Sequence, residues 1–278
     1  VSDMQLLNGI YDAALLLYAL SLLFVFSDCL YRNPSGKRLG TGLLVVVGLL
    51  QAAGLGIRFS QEKGLPIFTP YDFLFWFAFS IVLTSLAVAF TRGGEFTILL
   101  LSVAGFCVFL LNRVWLTAGG HTLETWSSVY GWLTMHVILA NLSFAALTLG
   151  TVFAILYLFL HTRLKSKQWS DRIRRLPNLE TTDKYSYTAI LVGTPLLAIS
   201  LVVASLSIVS EGRTLLLKDL KVLTTLIGLG IYIFYIIFKK SGRKSGVSMA
   251  RWAILGYAFT ILNFLLNSLS GFHGWSGE

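Results

Sequence analysis

Charge is scarce in this chain. Only 13% of its 278 residues are Asp, Glu, Lys or Arg, about half of the roughly 25% usual in soluble domains. With 55% apolar residues and a mean hydropathy of +0.74, the chain lacks the polar surface to cover one water-soluble globule of its size. Cysteine is nearly missing too: Cys29 and Cys107, each in or beside an apolar run, are too few for a disulfide scaffold. Five prolines and no low-complexity tract argue against long disorder. No GxxxxGKS/T loop and no GxGxxG turn offers a cradle for nucleotide phosphates. HExxH and CxxC zinc spacings and serine-hydrolase signatures are likewise missing.

What remains is a series of long apolar runs. Crossing a hydrocarbon layer of about 30 Å takes about 20 helical residues, and eight runs approach that length: 6–26, 39–57, 73–91, 96–111, 132–160, 189–209, 222–238 and 252–269. The fourth is the shortest. The first reads as a span and not a signal peptide, being long, flanked by Asp3 and followed by no small-residue cleavage site. The expected fold is therefore all-α, a polytopic membrane protein with eight transmembrane helices forming a single membrane domain over 1–278.

The net charge of +9 resembles a nucleic-acid signal until its cations are placed. Sixteen of the 22 Lys and Arg lie in the loops after odd-numbered spans, and six lie on the opposite side. The positive-inside rule makes the first set cytoplasmic and puts both termini outside. No nucleic-acid partner is expected; the bilayer is. The largest cytoplasmic segment, 161–187, carries Arg163, Lys165, Lys167, Arg172, Arg174, Arg175 and Lys184. It reads either as a topology anchor against anionic headgroups or as a dock for an acidic cytoplasmic protein.

Four histidines are the chemically interesting residues. His136 lies about one turn inside the outer end of span five, close to Trp132, and His273 follows span eight beside Phe272 and Trp275. Two imidazoles on one face, each among aromatic rings, suit axial ligation of a haem iron; the plain alternative is that each caps a carbonyl or meets interfacial water. His121, in the outer loop, is a third ligand or surface. His161 ends span five, where snorkelling accounts for it. Asp72 and Asp219 open spans three and seven at the outer level, near Arg58, Lys63, Arg213, Lys218 and Lys221. Those cations suit haem propionates, or else pair with the carboxylates. Asn263 and Asn267 share a face of span eight, where small polar residues link helices.

Several of these residues stand in a familiar order. Trp132-Leu-Thr-Met-His136-Val-Ile-Leu-Ala-Asn resembles the histidine-bearing segment of the cytochrome c assembly superfamily, the CcsA and CcmC type haem handlers. Leu176-Pro-Asn-Leu-Glu180-Thr-Thr-Asp183-Lys-Tyr-Ser-Tyr187, then Gly193-Thr-Pro195, resembles its next stretch. Asp219-Leu-Lys221 with Tyr232 is similar to the end of its Trp-rich motif, Pro66 with Tyr71-Asp72 to its third-span motif, and Gly271-Phe-His273 to its terminal Gly-Leu-His. The similarity runs in order from about residue 60 to residue 275. Members that attach haem to cytochrome c carry four histidines, two outer and two within the membrane. Here His136 and His273 match the outer pair, but Gly64 and Ile237 stand at the inner positions. Lys218 and Leu216 replace two tryptophans, and Arg213-Thr-Leu-Leu replaces the aromatic run.

This degraded pattern in an eight-span chain resembles the HemX branch of the superfamily. The resemblance implies a cell-membrane protein that lowers the level of glutamyl-tRNA reductase. Taken together with the two outer imidazoles, it leads to the expectation of a regulator that is no enzyme, meets the reductase through its basic cytoplasmic loops and binds haem b, with His136 and His273 as metal ligands and Trp132, Trp275 and Asp219 around it. The rival expectation is a cytochrome c assembly factor handling haem for thioether attachment. A transporter finds no inverted repeat to support it. The sidedness is open to a direct check: a reporter active only outside the cytoplasm is expected to work when fused after residue 278 and to fail when fused after Lys167 or Lys240; the reverse pattern would invert the topology.

Overall fold

A computed structural model of the chain describes residues 2–31, 33–62, 65–67, 69–89, 94–115, 130–167, 176–210, 212, 214–242 and 245–265. Eight helices among them are long and apolar enough to cross a bilayer: α1 (Ser2–Tyr31), α2 (Pro34–Glu62), α3 (Pro70–Ala89), α4 (Glu95–Trp115), α5 (Tyr130–Lys165), α6 (Leu179–Ser210), α7 (Leu220–Lys240) and α8 (Gly246–Leu265). There is no strand among the described residues. The chain is an all-helical, multi-pass membrane protein. In hydrocarbon, every backbone N–H and C=O must find its partner inside the protein, and helices achieve this within each segment.

Each expected span overlaps one helix, and the differences lie at the ends. The short fourth run is part of a 21-residue helix, Glu95–Trp115. α6 begins at Leu179, ten residues before its apolar run, because Asn178 caps it: the Asn178 Oδ1 accepts from the Thr181 N–H at 2.7 Å. Asp183, in its polar first turns, then pairs with Lys239 at the end of α7, Nζ to Oδ1 2.5 Å. Hydropathy reads only the apolar part of such a helix. Within 161–187, α5 continues to Lys165 and α6 begins at Leu179.

The helices form two compact units, α1–α4 and α5–α8. In the first, successive helices pack side by side and α4 closes against α1, giving an up-down four-helix arrangement. Its core holds Tyr11 stacked on Phe109 (ring centroids 4.1 Å apart), with the Tyr11 hydroxyl donating to the Phe109 carbonyl at 2.7 Å. Arg58 of α2 meets Asp72 of α3, Nη2 to Oδ1 2.7 Å, with side-chain exposures of only 4% and 1%. Thr69 donates from Oγ1 to the other carboxylate oxygen at 2.5 Å, and the Arg58 guanidinium lies over the Tyr71 ring. Bridges at Lys37–Glu95 and Asp12–Arg113 tie further helix ends.

In the second unit α5 packs on α6, α7 on α6 and α8, and α8 returns to α5. Exposed positions such as Ile199, Val202, Ile233 and Ile237 are large and aliphatic, whereas Ser143, Ser186, Ser200, Thr148 and Thr151 are buried. That inversion suits a lipid solvent, where small and hydroxyl side chains let helices approach and bond across.

The α5–α6 seam shows this most clearly. Ser143 Oγ donates to the Gly193 carbonyl at 2.8 Å, and Ser186 Oγ donates to the Gly150 carbonyl at 2.8 Å. The same exchange recurs one heptad further along, where Ser200 Oγ donates to the His136 carbonyl at 3.0 Å. Each rung steps seven residues along both helices. Glycine is required at the two inner rungs: a Cβ on Gly193 would lie 2.8 Å from Leu147 Cγ, and one on Gly150 2.7 Å from Ile190 Cγ1. Gly193→Ala is therefore expected to lower stability by about 1–3 kcal/mol, read as a fall in the thermal aggregation midpoint in detergent. Gly42→Ala, whose Cβ meets nothing within 4 Å, is the control expected to stay within about 0.5 kcal/mol. Equal midpoints for the two variants would discount the seam.

Candidate functional site

The first turns of α5 carry the residues of interest. Leu133, Val137 and Ala140 are buried and hold this end of the helix against its neighbours, while Trp132 is 52% exposed. His136 follows Trp132 by four residues, so the two share a face, and its ring is half-buried. One nitrogen of that ring is committed: His136 Nδ1 lies 2.9 Å from the Ser200 carbonyl oxygen on α6. A carbonyl only accepts, so Nδ1 carries the proton and the neutral ring keeps its lone pair on Nε2. The Ser200 hydroxyl, 2.9 Å from the same Nδ1, spends its proton on the His136 carbonyl. Ser200 thus accepts from the imidazole and donates to its backbone.

Cationic and polar groups sit at the same end of this unit. Lys221, in the first turn of α7, is half-buried. Asp219 is the N-cap of α7: its Oδ1 accepts from the Lys221 N–H at 2.8 Å. Lys218 ends a short 3-10 turn, Thr214–Lys218, and is exposed. Asn263 of α8 donates to Thr225 Oγ1 of α7 at 2.6 Å, the helix link expected of it. On α8, Tyr257 bonds Thr148 of α5 at 2.7 Å. From that register, antiparallel counting brings Leu265, the last described residue of α8, to within about one turn, or about 6 Å, of the His136 level.

His273 and Trp275 lie outside the described residues, as do Asn267, His121, Lys63, Gly64, Arg213, Arg172, Arg174 and Arg175. His161 is in the last turns of α5 with its ring against Tyr157 (centroids 6.3 Å). In the other unit, Arg58 is committed to Asp72 rather than free for an external anion. Ile237, standing where the resemblance would put an inner histidine, is 59% exposed and turns away from its neighbouring helices.

A haem group fits what this end of α5 offers. Metal-ligating histidines almost always donate their second ring N–H to a carbonyl or carboxylate, which fixes the tautomer and strengthens the donor atom. His136 has that arrangement, with an exposed indole one turn away. Sequence reasoning missed Ser200. Its signal was the recurrence of Ser186, Gly193 and Ser200 every seven residues, opposite Gly150, Ser143 and His136.

Fold and site together define a multi-pass, all-helical membrane protein with an imidazole bonded across two helices near one end of α5. Residues 70–273 match the family described as cytochrome C assembly protein, and the chain belongs to that family. Along nearly its whole length it is similar to two HemX proteins, which places it in the HemX branch. Protein HemX of Brevibacillus brevis is 32% identical over 272 residues, covering 96% of this chain and 97% of that protein. Protein HemX of Bacillus subtilis (strain 168) is 28% identical over 266 residues, covering 95% and 96%. The cytochrome c biogenesis protein CcsA of Synechococcus elongatus is 26% identical over 160 residues, 55% of this chain and 48% of that protein.

Proposed function

We propose that this chain is a haem-responsive membrane regulator, not a catalyst, which lowers the level of glutamyl-tRNA reductase. His136 and His273 would hold haem b near the outer membrane face, with Trp132 and Trp275 beside it and Lys221 facing its propionates. When bound, haem would supply an iron for neutral imidazoles to ligate, and His136 and His273 are the residues that would hold it. The observation that carries this reading is the His136 Nδ1–H bonded to the Ser200 carbonyl, which leaves Nε2 as a ligand atom. Family membership adds to it, as does the closeness of the α8 end to the His136 level. Asp219, used as a helix cap, takes only an indirect part by shaping the start of α7.

Regulation would reach the cytoplasm through α5. This one helix runs from Tyr130 to Lys165, about 54 Å at 1.5 Å per residue, with His136 in its early turns and Arg163 and Lys165 in its last. Those cations, with the rest of the basic segment, are the proposed contact for the reductase.

The alternative, haem handling for thioether attachment to cytochrome c, draws on the CcsA similarity. The lipid-facing Ile237 and the missing tryptophans count against it. Two experiments separate the readings. The purified protein is expected to show a Soret band that His136→Ala and His273→Ala each strongly reduce; wild-type haem content in both variants would overturn the ligand assignment. Deletion of the gene is expected to raise glutamyl-tRNA reductase and porphyrins with c-type cytochromes intact; loss of those cytochromes with the reductase unchanged would select the alternative.

A further inference from the structure

The His136 rung departs from the rest of the α5–α6 seam in one respect. At the other two rungs the residue whose carbonyl accepts the serine hydroxyl is a glycine, so no side chain enters the seam there. At the third rung the accepting residue is His136, and its ring returns to the serine's own carbonyl. The two bonds form a closed reciprocal pair between residues 136 and 200. Ser200 is 1% exposed, so no water competes for either bond. The hydroxyl bond ties the two backbones directly at this level and keeps the Ser200 carbonyl in reach of Nδ1.

We propose that Ser200 is the positioning residue of the imidazole: its hydroxyl closes the third rung of the seam, and its carbonyl fixes His136 in the Nδ1–H tautomer with Nε2 free to ligate. The inference deepens the haem-ligation reading and rests on it for its use, but the tautomer itself is a property of the ligand-free chain. The seam transmits this setting. The inner rungs, about 10 and 21 Å further along α5, lock the register of the two helices from which the third rung is built.

The test uses the full chain in detergent, labelled with 15N-histidine, and long-range 15N–1H correlation of the His136 ring, assigned by its loss in His136→Ala. The wild type is expected to show the Nδ1–H tautomer near neutral pH. Ser200→Ala is expected to depopulate it, and Ser200→Thr, which keeps a hydroxyl, to restore it. Ser143→Ala removes an equivalent bond one heptad away and is the control for a merely structural effect; it is expected to leave the tautomer unchanged. With haem b added, Ser200→Ala is expected to weaken affinity by about tenfold or more and to shift the iron midpoint potential upward, because the ligand loses donor strength, whereas Ser143→Ala does neither. An Nε2–H tautomer in the wild type, or Ser200→Ala and Ser143→Ala behaving alike in the ring spectra, would overturn the proposal. Absence of haem binding in the wild type would end the ligation reading, while the ring spectra would still decide the role of Ser200.

Discussion

The second unit depends on three serine hydroxyls that bond across to a neighbouring helix instead of back to their own. In hydrocarbon a serine proton without an acceptor is costly, and a backbone carbonyl on a neighbouring helix satisfies it only if the two backbones come close. Along α5 and α6 this happens three times at heptad intervals, through Ser143, Ser186 and Ser200. Such bonds across membrane helices average about 0.6 kcal/mol each, so the seam works less by strength than by register. A slip of one helix residue would strand three donors and drive Leu147 and Ile190 into the backbones they now skirt. What the seam specifies is the level at which position 136 meets position 200.

The first unit solves the same problem with charge. Arg58 and Asp72 form a buried pair whose carboxylate also accepts from Thr69 and whose guanidinium covers Tyr71. Burial of two ions is stabilising only when their remaining hydrogen-bonding capacity is met, and these partners meet much of it. The pair ties the end of α2 to the start of α3 and removes Arg58 from the set of free cations. Asp183 and Lys239 do comparable work for α6 and α7 in the other unit.

Much of the architecture was legible as hydropathy. Apolar length predicted eight spans because a bilayer demands about 20 helical residues from each crossing, and the helices overlie those runs. The ends were less legible, since a cap such as Asn178 or a pair such as Asp183–Lys239 extends a helix through polar residues that a hydropathy reading discards. At the site, His136 stood out as an imidazole in an apolar run. Asp219 also stood out, through its place in the family motif, and the structure uses it as a helix cap. Ser200 is ordinary as a single serine in a membrane helix; its sign lay in the heptad recurrence with Ser186 and Gly193, which gains meaning only when paired with α5 across the seam.

The amino-acid sequence alone therefore determined the class of the protein, the number of its crossings, its family and the histidine most worth watching. Those properties follow from one-dimensional quantities: run length, charge placement and motif order. The tertiary structure decided what that histidine meets, because a carbonyl 64 residues away lies 2.9 Å from Nδ1. Packing also chose between the readings that the sequence left open for Arg58, which pairs with Asp72, and set Asp219 as the cap of α7. A partner across a helix interface is set by three-dimensional register, which no reading of single residues in order contains.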